Sequence, residues 1–112
     1  MKHYMNLHFN PFKLIKEGRK TIELRLNDEK RQKISKGDTI EFTNIKTLEK
    51  IDVIVLDKIV YESFEELYKH YDKVSLGYLE NEDANPNDMN LYYSKENIEK
   101  YHVVAIHISL EI

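Results

Sequence analysis

The sequence predicts an α+β fold, a mixed β-barrel or curled sheet of about five to six strands with short flanking helices. Three observations predict it. Apolar and polar residues alternate over several short runs, the mark of half-buried strands. The segments between those runs carry caps and stops for helices too short to serve as the regular crossovers of a doubly wound sheet. The chain has 112 residues, 41% of them hydrophobic, with 8 Tyr and 4 Phe. That is enough for one core without staples, and a single domain over 1–112 is expected.

Each element has its own reason. Residues 3–9 alternate, with His3, Met5, Leu7 and Phe9 pointing one way, so a strand is expected. Asn10-Pro11 opens a short helix, since Asn caps and Pro suits the first helical position. Phe12 and Ile15 share a face of that helix, and Gly18 supplies a positive-φ stop. Lys20–Leu26 alternates again, with Ile22, Leu24 and Leu26 apolar and Thr21, Glu23 and Arg25 polar. Asn27-Asp28 caps a brief polar helix ending near Ile34. Lys36-Gly37-Asp38 is a turn before a strand over Thr39–Phe42, and 44–50 is a hairpin connection. Ile51–Tyr61 is the longest β-rich run, interrupted at Asp57-Lys58 by a bulge or a barrel corner. Ser63-Phe64-Glu65-Glu66 is a capping box. Residues 74–89 read as an acidic ordered loop with helical turns. Asn85-Pro86 starts a turn carrying Leu91, Tyr92 and Tyr93, and Ser94 caps a last helix through Lys100. His102–Leu110 closes the chain as a strand, with Val104, Ile106, Ile108 and Leu110 on one face.

Composition narrows the function classes. The absence of Cys excludes a disulfide framework, a Cys-based zinc site and a thiol nucleophile. No apolar run approaches the ~18 residues of a membrane span, and the N-terminus lacks the apolar segment of a secretory signal, so a cytoplasmic protein is expected. The His3/His8 and His102/His107 pairs are five apart and fall on opposite strand faces, so neither chelates a metal locally. Glu80, Glu82, Asp83 and Asp88 lack the spacing of a calcium loop. No cofactor, metal or membrane partner is expected, and a monomer is. The net charge of −3 conceals an asymmetry: residues 10–37 hold nine Lys/Arg against four acids, a net +5, which leaves −8 elsewhere. A local basic segment of this kind can meet phosphates.

The most informative stretch lies inside that segment: Gly18-Arg19-Lys20-Thr21-Ile22-Glu23-Leu24-Arg25. Glu23 and Arg25 sit two apart on a strand and therefore share a face. An acid and a guanidinium side by side orient each other and present donors to a carboxylate, a phosphate or a base edge. The bland alternative is a solvent-facing pair worth ~0–1 kcal/mol. Lys20 has the parity of Ile22, so a twist or bulge is needed to bring it round to Glu23 and Arg25.

This run resembles the signature of the ASCH domain family, a Gly-x-Lys-x-x-Glu-x-Arg pattern matched by Gly18, Lys20, Glu23 and Arg25. The Gly-Asp turn at Gly37-Asp38, the helix at Ser63–Leu67 and the ending Tyr92-Tyr93-Ser94-Lys95-Glu96 resemble later motifs, so the likeness spans nearly the whole chain. The resemblance implies a PUA-like barrel whose cleft is lined by Lys20, Glu23 and Arg25 and binds RNA or a modified nucleoside or nucleotide. Arg31 and Tyr92 join these as ligand-binding candidates, and Tyr61, Phe64, Tyr78, Tyr93 and Tyr101 are further stacking surfaces. One branch of the family resembles an amidohydrolase that deacylates 4-acetylcytidine. There Lys20 and Glu23 would be the catalytic candidates, with Glu80 or Glu82 as a further acid. That branch carries a Thr where this chain has Glu23, so Glu23 would have to act as a general base on water. A third class, a protein-interaction module using the acidic 77–93 segment, rests on charge alone.

Overall fold

A computed structural model describes residues 1–111. Five strands, β1 (Lys2–Leu7), β2 (Ile22–Leu26), β3 (Thr39–Asn44), β4 (Lys50–Tyr61) and β5 (Val103–Leu110), form one sheet in the order β1-β3-β4-β5-β2. The β1–β3 pair is parallel and the others antiparallel. Four short helices, α1 (Phe9–Lys16), α2 (Glu29–Gln32), α3 (Phe64–Tyr68) and α4 (Lys95–Tyr101), and a 3-10 turn at Pro86–Leu91 fill the connections. The sheet curls into a half-barrel, consistent with a PUA-like barrel, with five strands at the low end of the expected range.

The curl has a local cause. β4 pairs with β3 through its first half and with β5 along most of its length, and its register against β5 shifts between Val55 and Asp57. Leu56 is the extra residue, half exposed. A bulge of this kind bends a strand and increases its twist, and it sits beside the expected Asp57-Lys58 interruption.

Two cores result. The concave face packs Met5, Leu7, Ile40, Phe42, Val53, Val55, Val104, Ile106 and Ile108 against Phe12 and Ile15 of α1. The opposite face of β2 and β5 presents Ile22, Leu24, Leu26, Val103 and Ala105 to Phe64 and Leu67 of α3 and to Leu76. β5 is thus buried on both faces. Capping follows the sequence in three helices: Asp28, Ser63 and Ser94 accept the backbone N–H of Arg31, Glu66 and Asn97. The first connection differs from expectation. β1 ends at Leu7, and α1 begins at Phe9 behind His8, which makes no side-chain cap. Phe9 therefore leaves the strand's apolar face and is 40% exposed. Pro11 still fits, because N–H groups in a first helical turn have no intrahelical partner.

Candidate functional site

The site forms where the half-barrel stays open. β1 and β2 are the two edge strands. In the parallel β1–β3 pair the carbonyls of Met1 and Leu7 accept the N–H groups of Thr39 and Ile45, so the carbonyls of Tyr4 and Asn6 lie on the free edge. Two cationic side chains occupy that edge: Lys30 Nζ donates to Tyr4 O at 2.7 Å, and Arg25 Nη2 donates to Asn6 O at 2.9 Å. Arg25 thereby ties β2 to β1 across the seam. A cleft of about 410 Å³ opens beside it, lined by β1, β2, α3 and the segment before α4. That volume is within the ~300–1,000 Å³ usual for small-molecule sites.

One wall is the signature motif. In the β2–β5 register Glu23 stands opposite Ile106 and Arg25 opposite Val104. Opposed residues share a sheet face, so Glu23 and Arg25 lie on the concave, covered side. Glu23 is 3% exposed, which rules out the solvent-facing pair. Its Oε2 accepts from Arg25 Nε at 2.8 Å, and its Oε1 lies 3.5 Å from Lys20 Nζ. Lys20 precedes β2, so strand parity does not govern it. Gly18, at φ +77°, turns the chain, and the N–H groups of Arg19 and Lys20 donate to Leu14 O. The next two N–H groups, of Thr21 and Ile22, both donate to Ser75 O. Lys20 Nζ donates to Leu76 O at 3.0 Å.

The electrostatics are those of a buried trio. Burial pushes the Lys20 ammonium below its ordinary range, and Glu23 only partly offsets this. Burial alone would raise the Glu23 carboxyl, but Arg25 and Lys20 outweigh it and hold it below the usual carboxylate range. Burial likewise works against the Arg25 charge, and the neighbouring Glu23 overcomes it. With both oxygens engaged and its proton affinity lowered, Glu23 is an orienting anion and a poor general base.

The other wall comes from far along the chain. Gly77, at φ +107°, lets its backbone lie against Lys20: a Cβ there would meet Lys20 Cδ at 3.0 Å. Tyr78 OH donates to Asp88 Oδ2 at 2.8 Å, so Tyr68 OH, 2.9 Å away, is the donor to Tyr78. Burial and these neighbours raise the Tyr78 phenol strongly. Met89, Tyr92 and Tyr93 supply apolar and aromatic surface.

Of the residues expected from sequence, Lys20, Glu23, Arg25, Tyr78, Glu82, Tyr92 and Tyr93 line this cleft. Tyr92 is 62% exposed at the rim, its ring centroid 6.4 Å from His8. Arg31 is not in the lining; its guanidinium turns back to Asp28 Oδ2 at 3.2 Å. Tyr61 bonds to Tyr71, Phe64 is core, Glu80 pairs with Arg19, and Tyr101 packs in the second core. Sequence reasoning missed Asn6, Tyr68, Gly77 and the role of Asp88. Gly77 carried a signal, as a glycine in a loop with no other reason for it; Tyr68 and Asp88 carried none.

A model of the ASCH domain family matches residues 5–111. The crystal structure of hypothetical protein PH0355 superposes with a TM-score of 0.83 at 34% identity, covering 99% of this chain and 100% of that one. The solution structure of protein PF0455 from Pyrococcus furiosus gives a TM-score of 0.72 at 35% identity, covering 98% and 97%. The S128A mutant of ZmASCH from Zymomonas mobilis shares the fold, with a TM-score of 0.60 at 12% identity over 96% of this chain and 67% of that one. No curated protein matches significantly.

Proposed function

The chain belongs to the ASCH domain family, and on that premise we propose that its cleft binds RNA or a modified nucleotide, taking one nucleoside between the Lys20–Glu23–Arg25 wall and the Tyr68–Tyr78–Asp88 wall. Family membership supports a general RNA-binding or related function. The observation that carries the finer reading is the convergence of the three motif side chains on one cleft rimmed by Tyr92 and Tyr93. Glu23 holds Arg25 in place, and Lys20 and Arg25 keep donors for a base or ribose oxygen. The aromatic rim gives a base a face to stack on. Lys30 of α2, which donates to Tyr4 O, flanks the same seam, where a strand's phosphates would pass while one base enters the cleft.

The test is titration of labelled single-stranded RNA. Affinity falls as salt rises, because phosphate contacts release counterions. A Lys20→Ala/Arg25→Ala double variant that remains folded by circular dichroism binds about tenfold or more weakly, given the worth of charged hydrogen bonds. No binding at low salt, or no change in the double variant, refutes the reading.

A second reading, amide hydrolysis of an acylated nucleobase, is favoured by one observation: Lys20 offers a buried amine of lowered proton affinity beside an orienting acid. Water would attack the acyl carbon as Lys20 accepts its proton, and Lys20 would return that proton to the exocyclic nitrogen as the C–N bond breaks, releasing the amine and a carboxylate. Turnover of acylated cytidine that vanishes in Lys20→Ala supports it, and no turnover removes it.

A further inference from the structure

The cleft is not cationic. Among its described lining residues the charged ones are Lys20 and Arg25 against Glu23, Glu82 and Asp88, so with His8 neutral the lining is net negative by one. A site built for phosphate would not place two further carboxylates opposite its cations. The charges are also sorted. Glu23 is consumed by Arg25 and Lys20, so the β2 wall presents donors: Arg25 uses Nε on Glu23 and Nη2 on Asn6 O, and Nη1 has no partner among the described residues. Across the cleft, Asp88 presents an acceptor. Its Oδ2 takes the Tyr78 O–H, which leaves Tyr68 as the donor to Tyr78, and Oδ1 accepts nothing among the described residues. A carboxylate is acceptor-only, so what faces it must donate.

Resting on the nucleoside-binding reading above, we infer that the cleft takes a neutral base and that Asp88 selects one carrying an exocyclic amino group over its keto counterpart. The ring lies against Met89, Tyr92 and Tyr93, an acceptor edge meets Arg25, and the amino group donates to Asp88 Oδ1. Asp88 stands exposed at the rim, so a keto oxygen at that position sets its lone pairs against the carboxylate and gains no hydrogen bond from it. Carboxylate-to-amino pairing is also how proteins read cytosine in a duplex groove. Cytosine and adenine share this chemistry; uracil and hypoxanthine lack it. Phosphate stays outside the cleft.

The experiment is calorimetric titration of the wild-type chain with cytidine, uridine, adenosine and inosine, and with the 5′-monophosphate of the tightest. Expected is preference for at least one amino nucleoside over its keto counterpart by about tenfold, with the monophosphate binding no more tightly. Whether cytidine or adenosine is preferred identifies the ring. Asp88→Asn, whose amide both donates and accepts, is expected to compress the preference below about threefold. The wild-type comparison needs no variant, so a poorly folded Asp88→Asn leaves the inference exposed. Equal binding of amino and keto nucleosides, an unchanged preference in Asp88→Asn, or a clear gain from the phosphate overturns the inference. In the first two cases loss of binding in Arg25→Ala shows that the nucleoside reading survives. No binding by any of the five ligands overturns both.

Discussion

The two walls of the cleft are built by opposite strategies. The β2 wall is compact in sequence, with Lys20, Glu23 and Arg25 within six residues, and it is held by mutual ion pairs in a nearly dry environment. The wall from Tyr68 to Tyr93 spans 26 residues of mostly irregular chain and is held by phenol hydrogen bonds and aromatic contacts. The first wall is rigid because one buried carboxylate, Glu23, holds both cations, and removing it strands the two of them. The second depends on hydroxyls that each contribute modestly. Buried ion networks thus set the geometry of this site, and the looser wall is where ligand preference is adjusted.

Perturbing each wall breaks or sharpens that contrast. The largest effect is expected from Glu23→Gln, which leaves Arg25 and Lys20 without their counter-charge; breaking a buried pair costs about 3–5 kcal/mol, readable as a lower urea midpoint. The same variant tests pH dependence. Glu23 titrates below its ordinary 4.5 in the fold, so as pH falls below about 4.5 the unfolded chain takes up the proton first and stability is lost. Wild type is therefore expected to lose stability on acidification more steeply than Glu23→Gln, and parallel acid profiles would count against the trio.

Gly77→Ala comes next. Its backbone sits at φ +107°, and the added Cβ would meet Lys20 Cδ at 3.0 Å. Strain of this kind costs about 1–3 kcal/mol, and the displaced Lys20 is expected to weaken ligand binding beyond what the stability loss explains. Tyr78→Phe is expected to cost about 1 kcal/mol, with nucleoside preference altered more than affinity. The smallest change at the site is expected from Ser63→Ala, which removes the α3 cap at a cost of about 1 kcal/mol and leaves ligand affinity unchanged, since Ser63 lies outside the cleft.

The same contrast explains what the sequence made legible. The order of elements, the caps at Asp28, Ser63 and Ser94, and the β4 bulge all follow from local patterns. The β2 motif was readable too, but its burial was not: alternation places Glu23 and Arg25 on one face and cannot say that both faces are covered. Alternation assigns Lys20 to the strand and so to the wrong parity, whereas β2 begins at Ile22 and a turn at Gly18 delivers Lys20. The distal wall depends on contacts more than 50 residues apart, such as Lys20 to Leu76, and no local spacing encodes them. Arg31, basic and near the motif, is expected from the sequence among the ligand groups; in the structure its guanidinium meets Asp28 in the α2 cap and stands outside the cleft lining.

Backbone amide shifts followed during titration with a short single-stranded RNA test the central claim most directly. The account predicts that the shifts concentrate on both walls together, at Leu24 and Arg25 on one side and Gly77, Met89 and Tyr93 on the other. Shifts confined to residues remote from the cleft, such as the hairpin over 44–50, or no shifts at saturating RNA, would contradict it.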